Sequence, residues 1–353
     1  MKACSVYLAL ALLLALLSTA GERHRRSNRD QIISIRPIAF HSGDSRVRTV
    51  GALEFLGAWE LTSNHERFGG FSGLAILPGD RLLALSDAAE IAVFAKPAPR
   101  RSVRQMTAAI APLPWKGKQE PTYKDRDAES LAYDAQTGRF WVGYEQRHAI
   151  RRFSLGMARE DGIARPAQMR GWPSNGGAES LARLNDGRLL VLAESDESRV
   201  GGYSALLFPA DPVNPLTALP LAFSYLPPDG FKPTDAVQLP DGKLLILHRS
   251  LSLPSGFGAA LTIADPARIT PGRPWSGKLI AKWGAPLLID NMEGLAIEQS
   301  GGKTIIWIIS DNNFTLLQRT LLMKFALPAT FGTSPDTEKG RAARARPGFH
   351  ALP

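Results

Sequence analysis

The hydrophobic pattern of this chain repeats. Five segments share one plan: a small motif, a short apolar run, a turn, and a second apolar run ending on a polar residue. They are FSGLAILPGDRLLALSD (71–87), ESLAYDAQTGRFWVGYE (129–145), ESLARLNDGRLLVLAE (179–194), DAVQLPDGKLLILHR (235–249) and EGLAIEQSGGKTIIWIISD (293–311). Turn residues fall where a hairpin needs them, as in Pro78-Gly79-Asp80, Asn185-Asp186-Gly187 and Pro240-Asp241-Gly242. Between the small residues Gly73, Ser130, Ser180, Ala236 and Gly294 the spacings are 57, 50, 56 and 58. Further strand candidates follow within the units, among them Ala149–Leu155, Ala205–Phe208 and Thr320–Leu327. Units of this length hold one four-stranded propeller blade with some long loops, so the expected fold is all-β, a β-propeller. A helical solenoid is disfavoured, because the repeating core is a hairpin rich in β-formers. Ile32–Ile38 and Val50–Thr62 read as additional strands. They either complete a sixth blade or close the ring by pairing with Thr320–Leu327. Six blades are expected, with five or seven as alternatives.

Composition supports this reading. The chain has 353 residues, 44% of them hydrophobic, with 32 Gly and 26 Pro, which suits many short strands and tight turns. Residues 1–20 read as a secretory signal: Lys2, an apolar run Val6–Leu17, then Ser18-Thr19-Ala20 before Gly21. A retained anchor is the competing reading. Cleavage after Ala20 removes Cys4, the one cysteine, and with it disulfides, thiol catalysis and cysteine-ligated zinc. The expected organisation is then a basic disordered segment 21–31, a propeller domain 32–328 and a basic disordered tail 329–353, in a periplasmic or secreted protein. The formal net charge is +9. Most of it lies in the two ends, leaving the body at about +2. That argues against nucleic-acid binding, which needs a basic face on the folded body. A monomer without a membrane span after cleavage is expected.

Candidate chemistry lies at the ends of the hairpins. In a blade the first strand lines the channel and the second runs antiparallel beside it, so the start of one and the end of the other share a rim. The first set is Ser72, Glu129, Glu179, Asp235 and Glu293; the second is Asp87, Glu145, Glu194, Arg249 and Asp311. Eight of these ten positions are acidic. Converging carboxylates repel unless protonation, a basic partner or a bound cation offsets the charge. An oxygen-only donor set favours a hard divalent cation, Ca²⁺ first. The metal candidates are Glu129, Glu179, Asp235, Glu293, Asp87, Glu194, Asp311 and Asn312, with Asn291 and Asn313 able to add neutral oxygens. Glu129, Glu179, Glu293 and Asp311 are the catalytic candidates. Such acids can instead accept backbone hydrogen bonds that lock blades together.

Arg249, with His248 beside it and Lys232 upstream, breaks the acidic pattern. It can anchor an anionic substrate group, or form a buried salt bridge with Asp235. Arg319 is a further substrate-binding candidate, and Arg126 and Arg147 are of the same kind. There is no nucleophile elbow, since Gly70-Phe71-Ser72-Gly73 has the wrong spacing, and no H-E-x-x-H.

Several stretches together resemble the phytase-like domain family of exported bacterial proteins, described as having esterase-like activity. They are residues 68–74 (FGGFSGL), 127–131 (DAESL), 177–181 (GAESL), 232–236 (KPTDA), 290–295 (DNMEGL), 310–314 (SDNNF) and 318–322 (QRTLL). The resemblance covers about residues 50–328. It implies a propeller and hydrolysis of a phosphate ester or related ester. The D-A-x-D-P-A-type and N-N-x-D-x-R-type motifs of alkaline propeller phytases are absent, so those enzymes' residues are not carried over. The leading functional expectation is metal-assisted hydrolysis of a small anionic ester, a phosphoester first. Alternatives are a lactonase-type metal-dependent hydrolase and a non-catalytic propeller that binds a ligand or protein.

Overall fold

The computed structural model describes residues 31–98, 102–117, 119–198 and 201–328. The proposed signal, the basic segment up to residue 30 and the tail 329–353 lie outside the described residues. The chain opens with β1 (Ile32–Pro37), β2 (Thr49–Val50) and β3 (Leu53–Ser63). Four antiparallel strands follow: β4 (Phe71–Leu77), β5 (Arg81–Ser86), β6 (Glu90–Ala95) and β7 (Arg104–Pro112). A single helical turn, α1 (Tyr123–Arg126), leads into β8 (Ala128–Asp134), β9 (Arg139–Tyr144), β10 (Ala149–Phe153) and β11 (Glu160–Ala164). The third blade is β12 (Ala178–Arg183), β13 (Leu189–Glu197), β14 (Tyr203–Phe208) and β15 (Leu221–Leu226). The fourth is β16 (Lys232–Gln238), β17 (Leu244–Ser252), β18 (Gly256–Ala264) and β20 (Lys278–Gly284), with the short β19 (Pro274–Ser276) laid parallel on β15. The last is β21 (Asn291–Ser300), β22 (Lys303–Asp311) and β23 (Thr320–Leu327).

Among the described residues there are five blades, against the six expected. Inner strands β4, β8, β12, β16 and β21 pack neighbour to neighbour, and β21 returns to β4. Residues 32–62 make no blade of their own. Instead β3 pairs with β23 as the outer strand of the last blade, and β1 bridges β3 to β7 of the first. Ring closure was the other use anticipated for this segment, and its pairing explains the choice. The last repeat supplies three strands, and a fourth taken from the chain's start satisfies the open edge of β23 while tying the two ends of the body together.

The core is divided between blades. Five hydrophobic clusters fill the five spaces between neighbouring sheets. Leu83 and Leu85 of the first blade meet Phe140 and Val142 of the second, and Leu190 and Leu192 of the third meet Leu244 and Ile246 of the fourth. Second strands are therefore apolar on both faces, as the unbroken runs LLALS, FWVGY, LLVLAE, LLILH and TIIWIIS require.

Near the axis the inner strands crowd one another. A Cβ on Gly294 would lie 2.7 Å from Ile309 Cγ2 and 2.9 Å from the Gly73 carbonyl carbon. That crowding is why each repeat carries a small or short residue there: Gly73, Ser130, Ser180, Asp235 and Gly294.

Candidate functional site

Every inner strand begins with the same irregularity. The register slips by one between Phe71 and Gly73, Ala128 and Ser130, Ala178 and Ser180, Pro233 and Asp235, and Met292 and Gly294. The bulged residues are Ser72, Glu129, Glu179, Thr234 and Glu293. A bulge leaves its extra residue out of the ladder and re-aims its side chain, and in four of the blades that side chain lines the channel mouth. Beside them, on the partner strands or one residue past them, stand Asp87, Glu145, Glu194, Arg249 and Asp311. The rim is held by backbone bonds such as Asp87 N–H to Gly70 O (2.7 Å) and Glu145 N–H to Asp127 O (3.1 Å).

These positions enclose a cavity of about 500 Å³, lined by Ser72, Asp87, Asp127, Glu129, Glu145, Glu179, Glu194, Glu293, Asp311, Lys232 and Arg249 among others. The acids come from the first, second, third and fifth blades. The fourth supplies both cations. Arg249 Nη2 lies 2.6 Å from Glu194 Oε1, and its Nε lies 2.9 Å from Glu293 Oε1. Lys232 Nζ stands 3.6 Å from Glu194 Oε2. Arg249 thus pairs with acids of two neighbouring blades, and not with Asp235.

Burial raises the proton affinity of the ring. It pushes Asp87 up to about 6, Glu145 to about 7 and Asp311 to about 7. Glu293 reaches about 8, because its burial outweighs the lowering effect of Arg249. Glu129 and Glu179 are raised well above the usual carboxylate range, first by burial and then by neighbouring acids. On Arg249 burial opposes the charge, but Glu293 and Glu194 outweigh it and keep the guanidinium protonated.

The second blade holds the densest group. Ligand oxygens of Asp127, Glu129 and Glu145 all lie within 4.8 Å of one another, close enough to share one cation. Glu145 is also within hydrogen-bonding reach of Glu179, and its Oε1 accepts the Gly177 N–H at 3.0 Å. Buried Asp127 keeps one oxygen, Oδ2, without a hydrogen-bond donor. Carboxylates this close need shared protons or a cation, and an oxygen-only set fits a hard divalent ion.

Four expected site residues lie elsewhere. Asp235 sits one residue past the bulge, where its Oδ1 accepts the Ala236 N–H (2.8 Å) and its Oδ2 the Leu295 N–H of the next blade (2.7 Å). It is a clamp between blades and carries no share of the mouth. His248 is fully buried behind the rim. Its Nε2 is 2.7 Å from the Tyr225 hydroxyl, and burial lowers its pKa to about 3, so it is a neutral packing residue. Arg319 points to Asp290 at 3.5 Å, outside the cavity lining. Asn312 uses Oδ1 to accept the Gly70 N–H (2.9 Å), joining the last blade to the first. Asn291 and Asn313 do line the mouth.

Sequence reasoning passed over Asp127 and Tyr123 as site residues. Asp127 stands two residues before the bulge, where Lys232 and Asn291 stand in their blades, and all three line the cavity. Extending the repeat alignment two residues upstream would have found it. Tyr123, in α1, lines the cavity and bonds Asp127, whose charge raises the phenol to about 12. No repeat predicts it, because α1 belongs to a connecting loop.

Fold and site together define a β-propeller with an acid-lined, cation-flanked channel mouth. The chain belongs to the phytase-like family: the family model described as esterase-like activity of phytase matches residues 66–314. No curated protein matches it in sequence. Among solved structures it is similar to a luciferin-regenerating enzyme at 11% identity, covering 87% of this chain and 95% of that one with a TM-score of 0.42. It is also similar to a protein from Lactobacillus plantarum at 12% identity, covering 84% and 82% with a TM-score of 0.36. The Cps50 (Swd1) β-propeller domain of Myceliophteria thermophila matches at 10% identity, covering 78% and 91% with a TM-score of 0.35.

Proposed function

We propose that the protein is a hydrolase of a small anionic ester, a phosphomonoester first, assisted by a divalent cation at the mouth. The observation that carries this reading is charge polarity within one cavity: many carboxylates on four blades, and Lys232 with Arg249 on the remaining one. The family's esterase-like description points the same way.

Asp127, Glu129 and Glu145 would hold the cation, and a bound Ca²⁺ would supply charge stabilisation to an ester oxygen. Lys232 and Arg249 bind and orient the anionic group from the opposite side. Glu293, which burial raises to about 8 against the lowering pull of Arg249, would act as the acid toward the leaving oxygen. Asp311, raised to about 7, is poised to take a proton from attacking water. Burial of Glu179 keeps a further proton beside the cluster.

The test is turnover of p-nitrophenyl phosphate by the purified protein with Ca²⁺ and with excess chelator. Turnover lost on chelation and restored by Ca²⁺ is the expected result. Turnover in neither condition rejects the reading. A parallel lactone panel separates it from lactonase action.

A further inference from the structure

A second concavity of about 770 Å³ opens beside the mouth, between the third and fourth blades, and shares Lys232, Arg249 and Leu251 with it. Its lining is mixed: the apolar side chains of Leu226, Pro227, Pro228, Phe231 and Leu251 and the ring of Tyr203 stand among glycines, serines and the charged Asp229, Lys232 and Arg249. Leu226 is 39% exposed and Leu251 66% exposed, and Leu253, at 92%, continues the apolar surface at the tip of the β17–β18 hairpin. Single surface leucines need no explanation, but Leu226 and Leu251 border one groove that joins the acid-lined mouth. We propose that this groove is a subsite for an apolar arm of the ester, so that the substrate class is a small amphiphilic anion.

The inference rests on the hydrolase reading above and adds the other half of the substrate. An anionic group held by Lys232 and Arg249 stands at the junction of the two cavities. Its reacting bond then faces the carboxylates of the mouth. The arm on its other side then points toward the groove, which shares Lys232, Arg249 and Leu251 with the mouth. Asp229, exposed on the groove wall, discourages a second anionic group there. Burial of two methylenes in the groove would strengthen binding about tenfold.

The test is a calorimetric titration of the full chain in Ca²⁺-containing buffer with methyl-, hexyl- and benzylphosphonate. Hexyl- and benzylphosphonate should bind at least about tenfold more tightly than methylphosphonate. In the double variant Leu226→Ser, Leu251→Ser that advantage should collapse, with the affinity ratio approaching one. Both positions are partly exposed, and a melting curve shows whether the variant is folded. Equal affinity of all three ligands for the wild-type protein overturns the subsite while leaving the anion site standing. Binding of none of them overturns both.

Discussion

At the fourth blade the chain carries its acid one position away from the mouth. Thr234 takes the bulge that Glu129, Glu179 and Glu293 occupy elsewhere, and its hydroxyl donates to Met292 O at 3.2 Å. Asp235 falls on the crowded inner position and pairs with backbone N–H groups. Asp235→Ala should therefore act on folding: it leaves two buried donors unpaired, at about 1–3 kcal/mol each, read as a lowered denaturation midpoint. Its Ca²⁺ affinity should stay close to wild type. Glu129→Gln should do the reverse, keeping most stability and losing about tenfold or more in Ca²⁺ affinity by calorimetry. Arg249→Gln removes the charge that joins Glu194 and Glu293. It should weaken methylphosphonate binding by about tenfold, since a charge-assisted contact is lost.

The bulged inner strand is the element that builds the site. In four of the five blades its extra residue goes to the mouth, and the next residue bonds sideways or makes room. Ser130, just past its bulge, donates from Oγ to Ala178 O at 2.6 Å, and in the first blade the bulged Ser72 itself donates from Oγ to Ala128 O at 2.7 Å. Each of these hydroxyls crosses from one blade to the next, so Ser130→Ala should cost about 1 kcal/mol in urea denaturation. Gly294→Ala should cost more, about 1–3 kcal/mol, because the added methyl meets Ile309 and the backbone of the first blade. Neither change removes a carboxylate, so both variants should keep Ca²⁺ binding as long as they are folded.

Over the whole molecule the buried acids set how stability depends on pH. Asp87 at about 6, Glu145 and Asp311 at about 7 and Glu293 at about 8 all lie above their unfolded values of 3.8 to 4.5. The folded chain then binds more protons than the unfolded one. Their contribution is present below about pH 4 and is lost as pH rises through about 6 to 8. His248 works oppositely: with its folded pKa at about 3 against 6.5, it loses stability as pH falls below 6.5. Four acids outweigh one histidine above neutrality. The melting temperature of the chelated protein should fall between about pH 6 and 8, and saturating Ca²⁺ should flatten that slope by favouring the ionised acids.

The all-β propeller was legible in the repeat, because a hairpin apolar on every second strand can bury itself only between neighbouring copies. The convergence of acids was legible too, because the start of β8 and the end of β9 must share a rim. Blade number was not, since whether Leu53–Ser63 starts a new sheet or completes the last one depends on which edge is open when the ring closes. Nor was the register at Thr234-Asp235, where one residue's shift moves a carboxylate from the mouth to the wall. Sequence spacing settles which residues repeat, through the period of the strands. Only the closed ring decides which of them face one another, because bulges, edge pairing and the packing of neighbouring blades form across long separations in the chain.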